Sequence, residues 1–322
     1  MTEAVSLIAD IGGTNMRFAL VEQGRIGESR SYPWPRKPAL CEPALEFLKL
    51  HNAKPRRAVF ACASAQAGLT DIRMVNVGEH DDLYTFNVEQ VRQTLGLESL
   101  EMMNDFAAVA AAVPHLAPEH VVKIGQGEPL AHQPIGILGA GTGLGCASLV
   151  WAEGRYRVVS GEGGHVTIGG TNLRECQIID WLHTKFSHVS AERLLCGPGM
   201  MNIHEAIRAI DGLPQLERIP ANILTLGLSG QDAVCREVLD VFCSLLGSIA
   251  GNLALVLAGR GGIYIGGGIP PRMIEFIRQS AFRTKFSAKG RYFDFLEAIP
   301  TYVITHPSPG LLGAAIALQQ DG

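Results

Sequence analysis

The chain has 322 residues, of which 47% are apolar and 18% charged, a globular composition rather than a disordered one. Its 27 Lys+Arg against 31 Asp+Glu give a net charge of -4, which leaves no electrostatic footprint for nucleic acid and no basic run for a membrane surface. The seven cysteines form no CxxC pair and HExxH is absent, which argues against a disulfide framework or a zinc site and for reduced, buried thiols in a cytosolic protein.

Val5 to Asp10 reads as a buried strand, DIGGTN (Asp10 to Asn15) as a turn, and Met16 to Glu22 as the returning strand. Arg25 to Tyr32 follows as a third strand, then Pro33, Pro35 and Pro38 mark a loop. A helix over Glu42 to Asn52 and a strand over Arg57 to Ala63 come next, and Ala65 to Tyr84 reads as irregular. Asn87 is the expected cap of a helix that Gly96 ends. Leu100 to Met103 reads as a strand end running into the Ala-rich helix Phe106 to Val113, with Asn104 and Asp105 as capping residue types between them.

Strands are expected at His120 to Ile124, Pro134 to Leu138, Cys146 to Trp151 and Tyr156 to Ser160, with GAGTGLG (Gly139 to Gly145) between the second and third. Strand, Gly-Thr turn, strand thus occurs twice, in IADIGGTNMRFALVEQG and ILGAGTGLGCASLVWAEG, which suggests a duplicated unit and two domains. Past SGEGGHV the pattern predicts a helix from Glu175 to Phe186. A segment capped by Ser190 and stopped at Gly197 follows, then a helix over Met200 to Ala209 and a loop from Asp211 to Pro220. Asp232 to Leu257 is a long apolar helix; its run Leu245 to Leu257 is short for a membrane span and broken by Gly247 and Gly251, so it reads as buried core. A strand at Gly262 to Ile265, the turn GGGIPPR, a helix to Ala281, a strand at Tyr302 to Thr305 and a helix from Gly310 to Gln319 complete the chain. No basic segment followed by an apolar core opens the sequence, so no signal peptide is expected.

The Gly-Thr turns allow backbone N–H groups to converge on a phosphate, with a hydroxyl added by Thr. Neither is a Walker A loop, and GAGTGLG carries Leu144 where the dinucleotide fingerprint needs a glycine. As a pair they suit a nucleoside triphosphate. Asp10 is either a turn-stabilising residue or a Mg²⁺ ligand acting through water. Asn104 and Asp105 are either caps alone or a cap with an exposed carboxylate beside free N–H groups. GEGGHV carries Glu162 and His165 on an uncrowded loop, a set that suits sugar hydroxyls together with Glu192 and Asn104. The competing readings are a structural His165 and a solvated first-turn Glu192.

DIGGTN, MNDF, GAGTGLG, GEGGH, HVSAER, GPG, GNLAL, GGGIPPR and HPSPGLLGAA occur in that order over nearly the whole chain. In this combination the sequence resembles the bacterial glucokinases of the hexokinase–actin–Hsp70 superfamily, in the branch without the CxCGxxGC zinc signature. The resemblance implies an α/β fold of the two-domain actin-like ATPase (ribonuclease H-like) type with a cleft between domains. Residues 1–115 plus 305–322 would form the small domain and 116–304 the large one. It implies Asp105 as catalytic base and Asn104, Glu162, His165 and Glu192 on glucose. It also implies Ala9, Asp10, Ile11, Gly12, Gly13 and Thr14 with Gly139, Gly141, Thr142 and Gly143 at the phosphates, Gly267 at the adenosine, and ATP with Mg²⁺ as cofactors.

The expected reaction is therefore ATP-dependent phosphorylation of D-glucose at its 6-hydroxyl, by a cytoplasmic enzyme with small-molecule substrates, no nucleic-acid or membrane partner, and a homodimer as an option. The chain departs from the family at Cys62-Ala63-Ser64, where a Pro usually follows the Cys, and at Leu83-Tyr84-Thr85, where a tryptophan is usual. This leaves a kinase for fructose, mannose or an amino sugar as the alternative. A non-catalytic sugar sensor is disfavoured, since a first strand at Val5 leaves no room for an appended DNA-binding helix pair.

Overall fold

The computed structural model describes residues 5–35, 39–64, 70–77 and 82–320, with the side chains of 75–77, 82–83 and 320 outside the description. The chain begins with β1 (Ser6–Ile11), β2 (Asn15–Glu22), β3 (Arg25–Ile26), β4 (Arg30–Pro33), α1 (Cys41–Leu50), β5 (Arg57–Cys62), β6 (Asp71–Val77) and β7 (Asp82–Asn87). It continues through α2 (Val88–Thr94), β8 (Ser99–Asn104), α3 (Asp105–Ala112), β9 (Val121–Ile124), β10 (Ile135–Ala140), β11 (Leu144–Ala152) and β12 (Arg155–Gly161). Then come α4 (Leu173–Leu182), α5 (Gly197–Ile210), α6 (Pro220–Ser229), α7 (Ala233–Leu257) and β13 (Ile263–Gly266). The last elements are α8 (Ile274–Gln279), α9 (Phe282–Ser287), α10 (Phe293–Glu297), β14 (Thr301–Ile304) and α11 (Pro309–Gln320). The chain divides into two compact units, Met1–Leu116 with His306–Gly322, and Ala117–Thr305.

The first unit is built on a sheet ordered β3-β2-β1-β5-β8, with β4 also paired to β2. β1 is antiparallel to β2 and parallel to β5, which is parallel to β8. Side chains of a strand alternate between faces. Leu7, Ala9 and Ile11 accordingly join Phe18, Phe47 and Phe60 in one buried cluster, while Ile8 joins Val59 and α11 residues Leu311, Ala314, Ala315 and Leu318 in another. That alternation sends Asp10, two residues after Ile8, to the α11 side.

The second unit is built on a sheet ordered β12-β11-β10-β13-β14-β9. Its first five strands repeat the plan of the other unit: an antiparallel β10–β11 hairpin, then β13 parallel to β10 and β14 parallel to β13. The duplication seen in the two glycine hairpins therefore extends to the sheets. The long helix α7 is capped by Asp232, which accepts from Cys235 N at 3.0 Å. It is long and apolar enough to cross a membrane, yet 78% of its most apolar window is buried within the fold. Gly247 and Gly251 let α9 lie against it, since a Cβ on either would overlap the carbonyl of Phe282 or Phe286. The reading of α7 as core helix is met.

Four local expectations change. Arg25 to Tyr32 is two short strands, β3 and β4. The stretch expected to be irregular holds the β6–β7 antiparallel hairpin, whose Ile72, Met74 and Phe86 are drawn into the core; residues 65–69, 78–81 and Pro38 lie outside the described residues. Ser190 makes no side-chain cap, and only a single turn, Ala191–Arg193, follows it. Gly197 opens α5 rather than stopping a helix, with Cys196 Sγ accepting from Gly199 N at 3.3 Å in the capping position. The loop expected from Asp211 to Pro220 is met, and α6, which carried no expectation, starts at its last residue, Pro220, and is stopped by Gly230 at φ 71°.

Candidate active site

In the first unit, β1, β5 and β8 run parallel and in register, with Ile11 opposite Cys62 and Cys62 opposite Asn104. Their carboxyl ends form one edge, the place where open α/β sheets carry ligands. Asn104 caps α3: Oδ1 accepts from Ala107 N at 3.0 Å, and Nδ2 donates to Ser64 O at 3.0 Å. One Nδ2 hydrogen and one Oδ1 lone pair are left over by those bonds. Asp105, the first residue of α3, accepts at Oδ1 from Phe106 N at 2.8 Å. Asp10 points to the first turn of α11, where a Cβ on Gly310 would lie 2.9 Å from its Cγ. Burial raises Asp10 above the usual carboxylate range, with Arg17 Nη1 at 3.9 Å opposing that shift. Burial also pushes the Cys62 thiol well up, and the Asp105 and Asp10 carboxylates push it further.

The first Gly-Thr turn joins β1 to β2. It closes with Gly12 N donating to Asn15 O at 3.0 Å, and Thr14 and Asn15 stand exposed at its tip. Ala9 and Ile11 are fully buried, so only backbone can serve a ligand there. Trp34 Nε1 donates to Gly12 O at 2.9 Å, and Tyr84 packs edge-on against Trp34 at 5.3 Å between centroids. Trp34 thus braces the turn. The available signal is a lone tryptophan inside a proline-rich loop, whose prolines alone mark only the loop.

The second Gly-Thr turn joins β10 to β11. Gly139 pairs with Gly145 inside the sheet, and Gly141, Thr142 and Gly143 form the tip, with Gly141 N donating to Gly143 O at 2.9 Å. Three hydrogen bonds from two other segments hold it. Ile269 N donates to Ala140 O at 3.1 Å and Gly197 N to Gly141 O at 2.8 Å, while Glu192 Oε2 accepts from Leu144 N at 2.9 Å. Gly267, at φ 90°, lies so close to the Ala140 backbone that a Cβ would overlap it, which brings the third glycine-rich turn against the second.

The GEGGH loop lies beside the same turn. Gly163–His165 form one 3₁₀ turn, with His165 N donating to Glu162 O at 3.0 Å. His188 Nε2 donates to His165 O at 3.0 Å, a support from 23 residues away that no local motif announces. His165 Nδ1 is 3.9 Å from Glu192 Oε1, with side chains 58% and 30% exposed, so both can reach a ligand. A Cβ on Gly164 would overlap the Leu144 carbonyl. The second unit therefore collects Glu162, His165 and Glu192 at its glycine turn, while Asn104, Asp105 and Asp10 belong to the first unit.

The sequence profile described as Glucokinase matches residues 7–321. The glucokinase of Paramagnetospirillum magneticum is 43% identical over 321 residues, covering 96% of each chain. The crystal structure of a glucokinase from an Antarctic psychrotroph is 33% identical, with a TM-score of 0.83 over 98% of this chain and 99% of that one. At 19% identity the glucokinase of Balamuthia mandrillaris, solved in complex with glucose, shares the fold with a TM-score of 0.82 over 98% of this chain and 94% of that one. Two sheets of one topology, each opened by a Gly-Thr hairpin, define a two-domain actin-like ATPase. Within that class, the chain belongs to the glucokinase family.

Proposed function

We infer that this chain transfers the γ-phosphoryl group of ATP to the 6-hydroxyl of D-glucose, in the cytoplasm and as the first step of glycolysis. The family match over residues 7–321 carries the reading. The site residues are our assignment. Asp105 is the base, supported by its position at the carboxyl end of β8 among the start-of-helix amides of α3. Asn104 keeps hydrogen-bonding capacity for a sugar hydroxyl beyond its two structural bonds. Glu162, His165 and Glu192 supply acceptors and an imidazole for the remaining hydroxyls, and their exposure supports that role. The tips of the two Gly-Thr turns offer amides and the Thr14 and Thr142 hydroxyls to phosphates, with Gly267 beside the adenosine.

Phosphoryl transfer of this kind has a loose transition state, so catalysis consists mainly of positioning and charge stabilisation. Asp105 orients the sugar hydroxyl and takes its proton late, as the oxygen bonds to phosphorus. Among the described residues no group of three or more His, Cys, Asp or Glu could cage a metal. A half-buried carboxylate, Asp10, fits Mg²⁺, which is usually bound through one or two carboxylates, retained waters and substrate phosphates. Mg²⁺ held there through water would supply charge neutralisation on the phosphates.

The test is ADP release from MgATP with glucose, mannose, fructose and N-acetylglucosamine as separate acceptors, with Asp105→Asn as control. Glucose-dependent release that falls by about 10²-fold or more in the variant is the expected result. Release with another sugar alone would change the substrate. Near-wild-type turnover in Asp105→Asn would remove Asp105 from its role.

A further inference from the structure

Glu192 touches two things at once. One carboxylate oxygen, Oε2, accepts from Leu144 N at 2.9 Å, capping the second Gly-Thr turn. The other, Oε1, faces His165 Nδ1 at 3.9 Å on the exposed side. The carboxylate crosses directly over Gly143, where a Cβ would lie 2.6 Å from Oε2. The segment behind Glu192 is tied to the same turn and to itself. Gly197 N donates to Gly141 O at 2.8 Å, and the Cys196 thiol donates to Glu192 O at 3.0 Å. Leu144 is buried, so water is a poor substitute partner for its amide.

We propose that Glu192 is a positioning residue that couples the sugar to the phosphate turn: a sugar hydroxyl on Oε1 fixes the carboxylate in the place where Oε2 holds Leu144 N, and so orders Gly141–Leu144 before the nucleotide arrives. This rests on the assignment of Glu192 to the sugar. Binding free energies couple reciprocally, so the nucleotide must tighten the sugar by the same factor. The coupling travels along one side chain and one amide, 48 residues apart in sequence.

The structure supplies a perturbation that leaves Glu192 in place chemically. In Gly143→Ala the new methyl meets only the far end of a flexible side chain, so the fold can accommodate it by displacing the carboxylate. In Gly169→Ala, outside the turn, the new methyl meets nothing within 4 Å, which makes it the control. Glucose binding is measured by calorimetry on nucleotide-free protein, and again with a non-hydrolysable ATP analogue. In the nucleotide-free state Gly143→Ala weakens glucose by about fivefold or more, the lower range of measured couplings, whereas Gly169→Ala binds glucose as the wild type does.

A second readout needs no variant. Glucose alone slows hydrogen exchange at the Leu144 amide in the wild-type protein. Wild-type glucose affinity in nucleotide-free Gly143→Ala, or unchanged Leu144 exchange on adding glucose, overturns the coupling. A wild-type protein that neither binds glucose nor releases ADP with it overturns the functional reading instead, so the two failures are distinct.

Discussion

Gly313→Ala sets two opposed effects against each other at the helix that supports Asp105. Gly313 lies inside α11, where alanine is intrinsically better than glycine by about 1 kcal/mol. On helix propensity alone the substitution would stabilise. The packing decides otherwise: a Cβ on Gly313 would overlap the Ala108 carbonyl of α3 and lie 2.8 Å from Ala108 Cα. The Ala108 carbonyl carbon would be nearer still, at 2.4 Å, so restoring an ordinary carbon–carbon separation of about 3.5 Å requires α3 and α11 to part by about 1.1 Å. The obstacle is backbone, which cannot swing aside as a side chain can. Overpacking of this kind typically destabilises by about 1–3 kcal/mol, occasionally more, which outweighs the propensity gain.

The functional consequence follows from position. Ala108 is three residues from Asp105 on the same helix, so a shift of α3 moves the proposed base. Misplacement by about 1 Å can lower turnover by roughly 10²-fold. We expect Gly313→Ala to lower the urea midpoint and to reduce kcat by about tenfold or more. Glucose affinity at the proposed sugar residues Glu162, His165 and Glu192, in the other unit, should change less. Urea unfolding and initial-rate ADP release are the assays. A midpoint at or above the wild-type value with unchanged kcat would refute the close packing of α3 on α11.

Two further predictions concern ionisation. Asp10→Asn should raise the thermal midpoint of the ligand-free protein at pH 7 while lowering MgATP turnover, because burial holds Asp10 above its usual value of 3.8. The sign follows from linkage: a carboxylate raised on folding penalises the native state above its folded pKa, and the penalty disappears as pH falls below the unfolded value. The gain of Asp10→Asn should therefore vanish in acid, and an equal or lower midpoint at pH 7 would contradict it. Glu175 is the opposite case. Burial alone would raise it, but the Ser244 hydroxyl, the Thr171 amide and hydroxyl, and nearby Lys285 hold it below 4.5. Its contribution to stability is full above about pH 4.5 and is lost as pH falls through the lowered value. Ser244→Ala removes one of those bonds and should shift acid unfolding to higher pH; an unmoved acid transition would show that the Ser244 bond contributes nothing.

Local physics was readable in the letters. The apolar run Val5 to Asp10 announced a strand, Asn104 was a capping residue type ahead of α3, and two Gly-Thr turns between apolar runs disclosed the repeated hairpin. Each depends on residues within a few positions of one another, where turn and capping preferences act directly. Family motifs then identified Asp105, Glu162, His165 and Glu192 as candidates, but assigned them no partners. Tertiary structure decided those partners. It brought Glu192 to Leu144, Trp34 to Gly12 and Gly310 to Asp10, through sheet order and helix packing that no local preference encodes. It also decided what several glycines are for. A sequence shows that a side chain is missing, whereas only the folded chain shows what fills the space: a carboxylate over Gly143, a carbonyl against Gly164 and Gly313. The β6–β7 hairpin and α6 went unread because their weak periodicity is overridden by burial against elements distant in the chain.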